Sequence, residues 1–587
     1  MQILKPGKWN LSELVADPYS PAFKSKLQEI ESKVKEFEKN KKNLVPSISE
    51  KKFMEMLHSL EEISEKFGIV SGYASLEYSS DTQSDKITSL LTKMRQLGSE
   101  IDNRTLFFDQ WWKKQIDEKN ARRLMQHTGE LHEFLRHKRT LARYSLSEPE
   151  EKIINTLDVT GHSALVKLYD KITNAFQFTV KIDGKTKIYT REELTQLVRS
   201  PKAKTREIAY KSLLSQFDKN KGVLGEIYQN IVLNWKNECI QIRGYASPIS
   251  VRNIGNDVDD KTVKALISVC RGNADVFRKF FSLKGRILKV KKLRRYDLYA
   301  PIQKKEEKKY TYDKAVKIVL QTLDSFSPTL GEFAKRVVTE DHVDSQIRVG
   351  KRSGAFCSTI APKITPFVLL NFKGRTNDVF TMAHELGHAI HSIAASDKSI
   401  FIQEAPLPLA ETASTFSEML LFDRILNQVS DEEQQANLVE HIDDLYATVG
   451  RQAYFTVFEI DAHQKIGESA TVQEISEEYM KTLKEQFGTS LSISPDFATE
   501  WTCIPHFFHS PFYCYSYSFG NLLSLSLFQR YRKEGKSFAS TYVKILTAGG
   551  HKNPKNCSKS MISTYHLRNS GKKDLTISKT RPEGLKV

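Results

Sequence analysis

Two histidines and a glutamate at the spacing His384-Glu385-Leu-Gly-His388 are the residues of this chain best suited to chemistry. They stand in the run Asp378-Val-Phe-Thr-Met-Ala-His384-Glu385-Leu-Gly-His388-Ala-Ile-His391. A helix turns by about 100° per residue, so residues four apart project from one side, one turn above the other. Two neutral imidazoles so placed can bind one tetrahedral Zn²⁺, and Glu385 beside them can take a proton from water. The bare pattern also arises by chance as a histidine pair on an exposed helix, so it needs support from other residues.

A catalytic zinc needs a third protein ligand and one open position. The metzincin pattern would place Gly at 391 and His at 394. Those positions hold His391 and Ala394, which excludes that class. The alternative is a glutamate from a following helix. The run Ala410-Glu411-Thr-Ala-Ser-Thr-Phe-Ser-Glu418 supplies two, seven residues apart and about 20° out of line on one helical face. Glu411 follows His388 by 23 residues, enough for a loop and a returning helix. We expect Glu411 as the ligand and Glu418 as an acceptor that fixes an imidazole N–H. Glu404 competes for the ligand role, and His391 is expected to support the site or the fold rather than to bind metal.

A further cluster is Pro505-His506-Phe-Phe-His509-Ser-Pro511-Phe-Tyr513-Cys-Tyr515-Ser-Tyr517-Ser-Phe-Gly520. Hydrolysis of an amide builds an oxyanion, and neutral His N–H and Tyr O–H donors can stabilise it without titrating near pH 7. By itself such a stretch is as readily an aromatic core helix. Tyr513 and Tyr517, four apart, would share one helical face.

The capping candidates for the HExxH helix are Thr376, Asn377 and Asp378, while Phe380, Ala383 and Ile390 can bury its back. Further upstream the chain reads as helix. Phe23, Leu27, Ile30, Val34 and Phe37 form one stripe, Phe53, Leu57, Leu60, Ile63 and Phe67 a second, and Ile87, Leu91, Met94 and Ile101 a third. Gly68, Gly72 and Gly98 interrupt heptads, which favours an antiparallel bundle over a coiled coil. A β-hairpin follows: Phe176, Phe178, Val180 and Ile182 alternate, Asp183-Gly184 turns, and Lys185 to Tyr189 returns. Thr190 with Glu193 forms a capping box. A domain boundary is expected near residue 195. The expected organisation is a helical domain over 1–195, a catalytic domain over 196–553 with one strand at Thr365–Phe372, and a basic tail over 554–587.

With 587 residues, 40% hydrophobic and 10% aromatic, the chain can build a large core, so global disorder is excluded. Its longest apolar runs fall short of the roughly 18–20 residues of a membrane span. The first residues, MQILKPGKWNLSEL, have no apolar core suited to a signal peptide. Six scattered cysteines without a CxxC pair fit reduced thiols, and we expect a cytoplasmic protein. The net charge of +17 raises nucleic acid as a partner. Residues 278–309 hold 13 Lys and Arg against 3 Asp and Glu, and residues 551–587 hold 9 against 2. Together they account for the whole excess. A charge so localised disfavours a nucleic-acid partner, and the 278–309 run is expected to be a solvated surface.

These residues together resemble the thimet oligopeptidase and oligoendopeptidase F family of zinc metallopeptidases, most closely its oligoendopeptidase F branch. The matching stretches are TMAHELGHAIH at 381–391, AETASTFSEML at 410–420 and IPHFFHSPFYCYSYSFG at 504–520. YDLYAPI at 296–302, GKRSGAFC at 350–357 and PFVLLNF at 366–372 also look like that branch, and the resemblance covers roughly 110–550. It implies a mainly α, zincin-type fold with a deep substrate channel and a small β-sheet near the zinc helix. It further implies one zinc ion per chain and internal cleavage of short unstructured peptides. His384, His388 and Glu411 match the family's ligands and Glu385 its general base. His506, Tyr513 and Tyr517 match the oxyanion region, with Tyr515 and His509 beside the substrate. The loop carrying Gly354 would flank the peptide, and the strand carrying Phe367 would pair with its backbone. Two rival functions are a zinc exopeptidase trimming termini and a basic scaffold with a vestigial zinc site. The family continues past 553 into apolar helices, whereas this tail is polar and without periodicity, as in a disordered segment or a shifted reading frame.

Overall fold

The computed structural model describes residues 3–550 except 159, 303–308, 349 and 353. The basic tail expected over 554–587 lies outside the described residues. The three N-terminal stripes become helices Pro21–Lys39, Glu50–Ser80 and Asp85–Gln110. Each begins at a serine whose hydroxyl accepts from the amide three residues on: Ser20 from Phe23 at 3.2 Å, Ser49 from Lys52 at 3.2 Å and Ser84 from Ile87 at 3.4 Å. Val34, Phe37, Phe53, Leu57, Ile63 and Met94 of these stripes are buried. Gly72 lies inside the second helix, where a Cβ would stand 2.6 Å from Cδ1 of Ile360. Its missing side chain lets the segment after a short strand lie against the helix.

The fold is mainly helical with three small sheets. It divides into two compact units. The first is built from the described residues of Met1–Glu148, Glu307–Ile425 and Leu527–Cys557, and the second from those of Pro149–Glu306 and Leu426–Ser526. Each has its own apolar core. The position near 195 therefore falls inside the second unit.

In the first unit, strands Val343–Asp344 and Phe356–Ser358 flank Phe367–Leu369. The central strand pairs parallel with one neighbour, Val343 opposite Val368, and antiparallel with the other, Cys357 opposite Val368. The strand expected at Thr365–Phe372 is thus three residues long, with two partners too short to show alternation in sequence. Asp344, fully buried, binds Arg348 at 2.6 Å and Lys351 at 2.8 Å and accepts from the Ser80 hydroxyl at 3.0 Å. It ties this sheet to the end of the second helix.

In the second unit the hairpin forms as expected, Phe178–Ile182 against Lys185–Tyr189. Asp183 and Gly184 both have positive φ, 49° and 82°, which suits the twist of a two-residue turn. Thr190 and Glu193 complete the capping box. Much of the basic run is solvated as expected, with Lys279, Arg286, Lys289, Lys291, Lys292 and Lys309 exposed, but part of it is buried. Lys284 is fully buried, with its ammonium donating to Leu298 O at 2.7 Å and paired with Asp443. Arg295 is buried against Glu500 at 2.8 Å, and Arg294 is paired with Asp297 and Glu207. Each cation meets a carboxylate distant in sequence, which a count along the chain does not reveal.

Candidate active site

The HExxH segment is a helix, Thr376–Ala394. Asp378, one of three capping candidates, is the residue that closes its start, its Oδ2 accepting from the amides of Arg375 at 3.0 Å and Lys373 at 2.7 Å. Val379, Met382, Ala383, Leu386 and Ile390 bury the back of the helix, and Phe380 is half-buried. His384 and His388 turn their Nε2 atoms toward each other, 3.2 Å apart.

The returning helix, Leu407–Leu426, brings Glu411 Oε2 to 3.3 Å from His384 Nε2 and 3.6 Å from His388 Nε2. Donor atoms of all three lie within 4.8 Å of one another. Gly387 sets this spacing. A Cβ there would stand 2.6 Å from Ser414 Cα and 2.7 Å from Ala413 O, so only glycine lets the two backbones approach this closely. Glu418 accepts from His384 Nδ1, as its seven-residue offset from Glu411 predicted. Ser414 donates to Glu411 Oε2 at 3.1 Å. Its position three residues after Glu411 was the available signal for that contact.

Two imidazoles and one carboxylate converging on one point are a donor set suited to a tetrahedral divalent cation with one position open. The electrostatics agree. Burial pushes the His384 imidazole down, yet Glu411 and Glu418 hold it well above its ordinary value. Burial raises Glu411, yet His384 and His388 bring it to about 2. Burial and the neighbouring His384 lower His388 to about 4. His384 and Glu411 thus stabilise each other as an ion pair, while His388 is held neutral, the form in which an imidazole binds metal. Among the described residues no other group of His, Cys, Asp and Glu converges so. Glu404 is exposed and outside it, and His391 is buried one turn further along the helix.

Glu385 is buried, and burial, opposed by His384, lifts its carboxyl to about 7. Burial, with the Glu385 carboxylate nearby, pushes the Cys357 thiol up, and the strand that carries it, Phe356–Ser358, packs against this helix. Sequence reading missed this strand, since three residues carry no alternation. A groove of about 260 Å³ lies beside it, with Gly354, Asn371, Phe372, Asp378 and Thr381 among its walls. Gly354 has φ +79°, and its carbonyl accepts from Asn371 at 2.8 Å.

Two expectations are corrected. Phe367 does not offer an edge to a peptide, because Phe367–Leu369 is paired on both sides and fully buried. Val343–Asp344 and Phe356–Ser358 are the outer strands of this sheet, and Phe356–Ser358 is the one that packs on the helix carrying Glu385. Tyr515 does not line a substrate surface: it is fully buried, its hydroxyl accepting from Asn256 at 2.8 Å. His509 is exposed and hydrogen-bonds to Asp170 at 2.7 Å, edge-on to Tyr169.

In the second unit His506, Tyr513 and Tyr517 do come together. Ring centroids lie 6.2 Å apart for His506–Tyr513, 5.8 Å for His506–Tyr517 and 5.2 Å for the two tyrosines. All three are half-buried. They meet without sharing a helix. His506 sits on Pro505–His509, the next helix begins at Tyr515, and Tyr513 lies in the turn between them.

A mainly helical chain carrying a two-histidine, one-carboxylate centre and an adjacent buried glutamate has the form of a metal-dependent hydrolase. The comparisons narrow this. Residues 196–570 match the model of Peptidase family M3, a match that runs into the basic tail, and residues 114–178 match that of Oligopeptidase F. The Oligoendopeptidase F homolog of Borreliella burgdorferi is 28% identical over 572 residues, covering 94% of this chain and 93% of that protein. Oligopeptidase PepF of Bacillus subtilis is 25% identical over 574 residues, covering 93% and 82%. Among solved structures, oligoendopeptidase-F from Enterococcus faecium superposes with a TM-score of 0.69 at 19% identity, covering 95% of this chain and 98% of that one. PZ peptidase A with an inhibitor reaches 0.77 at 16%, covering 98% and 99%. The chain belongs to peptidase family M3, within its oligoendopeptidase F group, and is an oligopeptidase of the metallopeptidase class. No described helix is long and apolar enough to cross a membrane.

Proposed function

We propose that this chain is a zinc-dependent oligoendopeptidase that cuts internal bonds of short unstructured peptides. The observation that carries this is the convergence of His384, His388 and Glu411 within 4.8 Å on two helices, beside the buried Glu385. Those three residues would hold one zinc ion, which when bound supplies Lewis acidity to a water and to the scissile carbonyl. The protein's own groups do the rest. Glu385 takes a proton from the water as its oxygen attacks, and delivers it to the amide nitrogen as the C–N bond breaks. Glu418 holds the His384 ring through Nδ1, fixing its orientation. His506, Tyr513 and Tyr517 serve as neutral donors to the developing oxyanion.

The peptide backbone adds along the open edge of Phe356–Ser358, which packs against the helix carrying Glu385, with the Gly354 loop and its groove alongside. Backbone pairing of this kind tolerates varied side chains. Cytoplasmic residence fits the five described cysteines, all free.

An internally quenched peptide blocked at both termini tests the proposal. Cleavage should be abolished by a zinc chelator and restored by added zinc. A blocked peptide left intact while free peptides are trimmed from an end would make the chain an exopeptidase instead. Full activity in chelator would remove zinc from the mechanism.

A further inference from the structure

We propose that Glu459 is a positioning residue, which fixes the turn between helices Pro505–His509 and Tyr515–Glu534 and thereby sets the Tyr513 ring beside His506 and Tyr517. The proposal rests on the reading of Tyr513 as an oxyanion donor. Glu459 lies on helix Arg451–Gly467 and is fully buried. Its Oε1 accepts from the backbone N–H of Phe512 at 2.8 Å. Phe512 has φ +57°, the left-handed region that a side chain disfavours and that persists only where surroundings impose it.

Here the surroundings are explicit. One helical turn beyond Glu459, the His463 imidazole packs against the Phe512 ring at 4.5 Å. From helix Pro248–Gly255, Arg252 donates to Pro511 O at 3.0 Å and to Ser510 Oγ at 3.1 Å. Tyr513 N–H then returns to Ser510 O at 3.2 Å. Were Phe512 to relax to right-handed φ, its N–H would swing off Glu459 and the peptide plane leading into Tyr513 would rotate. The tyrosine would leave the 5.2 Å contact with Tyr517.

Packing alone does not account for a glutamate at this place. Its second oxygen, Oε2, has no hydrogen-bond partner among the described residues, and an apolar side chain of the same size would fill a core at lower cost. What the carboxyl supplies and leucine cannot is an acceptor for the Phe512 amide.

The test compares Glu459→Gln, which keeps an acceptor oxygen, with Glu459→Leu, which does not. Metal content and KM should stay at wild-type values in both. Glu459→Leu should lower kcat by about ten- to a hundredfold, a part of what loss of an oxyanion donor costs. Glu459→Gln should stay near wild type. Because Glu459 acts through Tyr513, Glu459→Leu should cost nothing further in a Tyr513→Phe background. Should Glu459→Leu fail to fold, phenyllactate in place of Phe512 removes the same N–H with every side chain kept, and should give the same loss. A fluorotyrosine signal for Tyr513, identified by its absence in Tyr513→Phe, should shift in Glu459→Leu and not in Glu459→Gln. An unmoved signal, or kcat losses that multiply in the double variant, overturns the positioning role. If Tyr513→Phe keeps full kcat while the signal still shifts, the positioning stands and the donor role of Tyr513 falls.

Discussion

At the scale of single residues, the part of the site that could be read from sequence is the part fixed by helical spacing. His384, Glu385 and His388 fall within five positions of one helix, and Glu411 and Glu418 within eight of the next, so periodicity gives their arrangement on each helix. Tyr515 and Phe367 were misplaced, and the Asp170 partner of His509 missed, for the converse reason. Their directions depend on Asn256, Asp170 and strand 343–344, none of which is local in sequence. If Glu385 is the general base, Glu385→Gln should lower kcat by about 10²–10⁴-fold, the usual contribution of such a group. Zinc bound per chain, measured by elemental analysis, should not change. Activity above a few per cent of wild type would remove Glu385 from that role.

At the scale of elements, the helices were legible because their stripes run for four or more turns, and the hairpin because Asp183-Gly184 marks its turn. The three-stranded sheet was not, since two- and three-residue strands carry no period. Two predictions belong here. Gly387→Ala would push a methyl into the backbone of Ala413 and Ser414, which cannot yield as a side chain could. The cost should be about 1–3 kcal/mol, read as a lower melting temperature, together with weaker metal retention as Glu411 is displaced. Unchanged metal affinity would show that the helix spacing has slack. The second concerns Asp344. Burial raises its carboxyl, but Arg348 and Lys351 outweigh that and hold it below the usual carboxylate range. The unfolded chain therefore takes up this proton first, so the stability due to Asp344 is complete above about pH 4 and is lost as pH falls through the folded value. Asp344→Asn leaves Lys351 buried without its charge partner and should cost about 3–5 kcal/mol at pH 7. The gap from wild type in urea denaturation should narrow below pH 4, and a gap constant with pH would contradict the assignment.

At the scale of the whole molecule, net charge was the feature most easily misread. The +17 is real, yet Lys284 and Arg295 in its richest folded run are buried and paired, and Arg294 is paired as well. A single-stranded oligonucleotide should therefore bind no tighter than the non-specific range of about 10⁻⁴–10⁻⁶ M at physiological salt. Nanomolar binding by fluorescence anisotropy would reopen the polyanion reading. The two compact units were equally hidden, because each is assembled from stretches separated by more than a hundred residues, and a linear scan divides a chain only once at each boundary. The three-residue edge at Phe356–Ser358 has one more consequence. It offers so few backbone bonds that a folded polypeptide would have to break more of its own structure to lie there than it could regain. A chain already without structure gives up nothing. If peptides add along this edge as proposed, it sorts chains by their order rather than by their sequence.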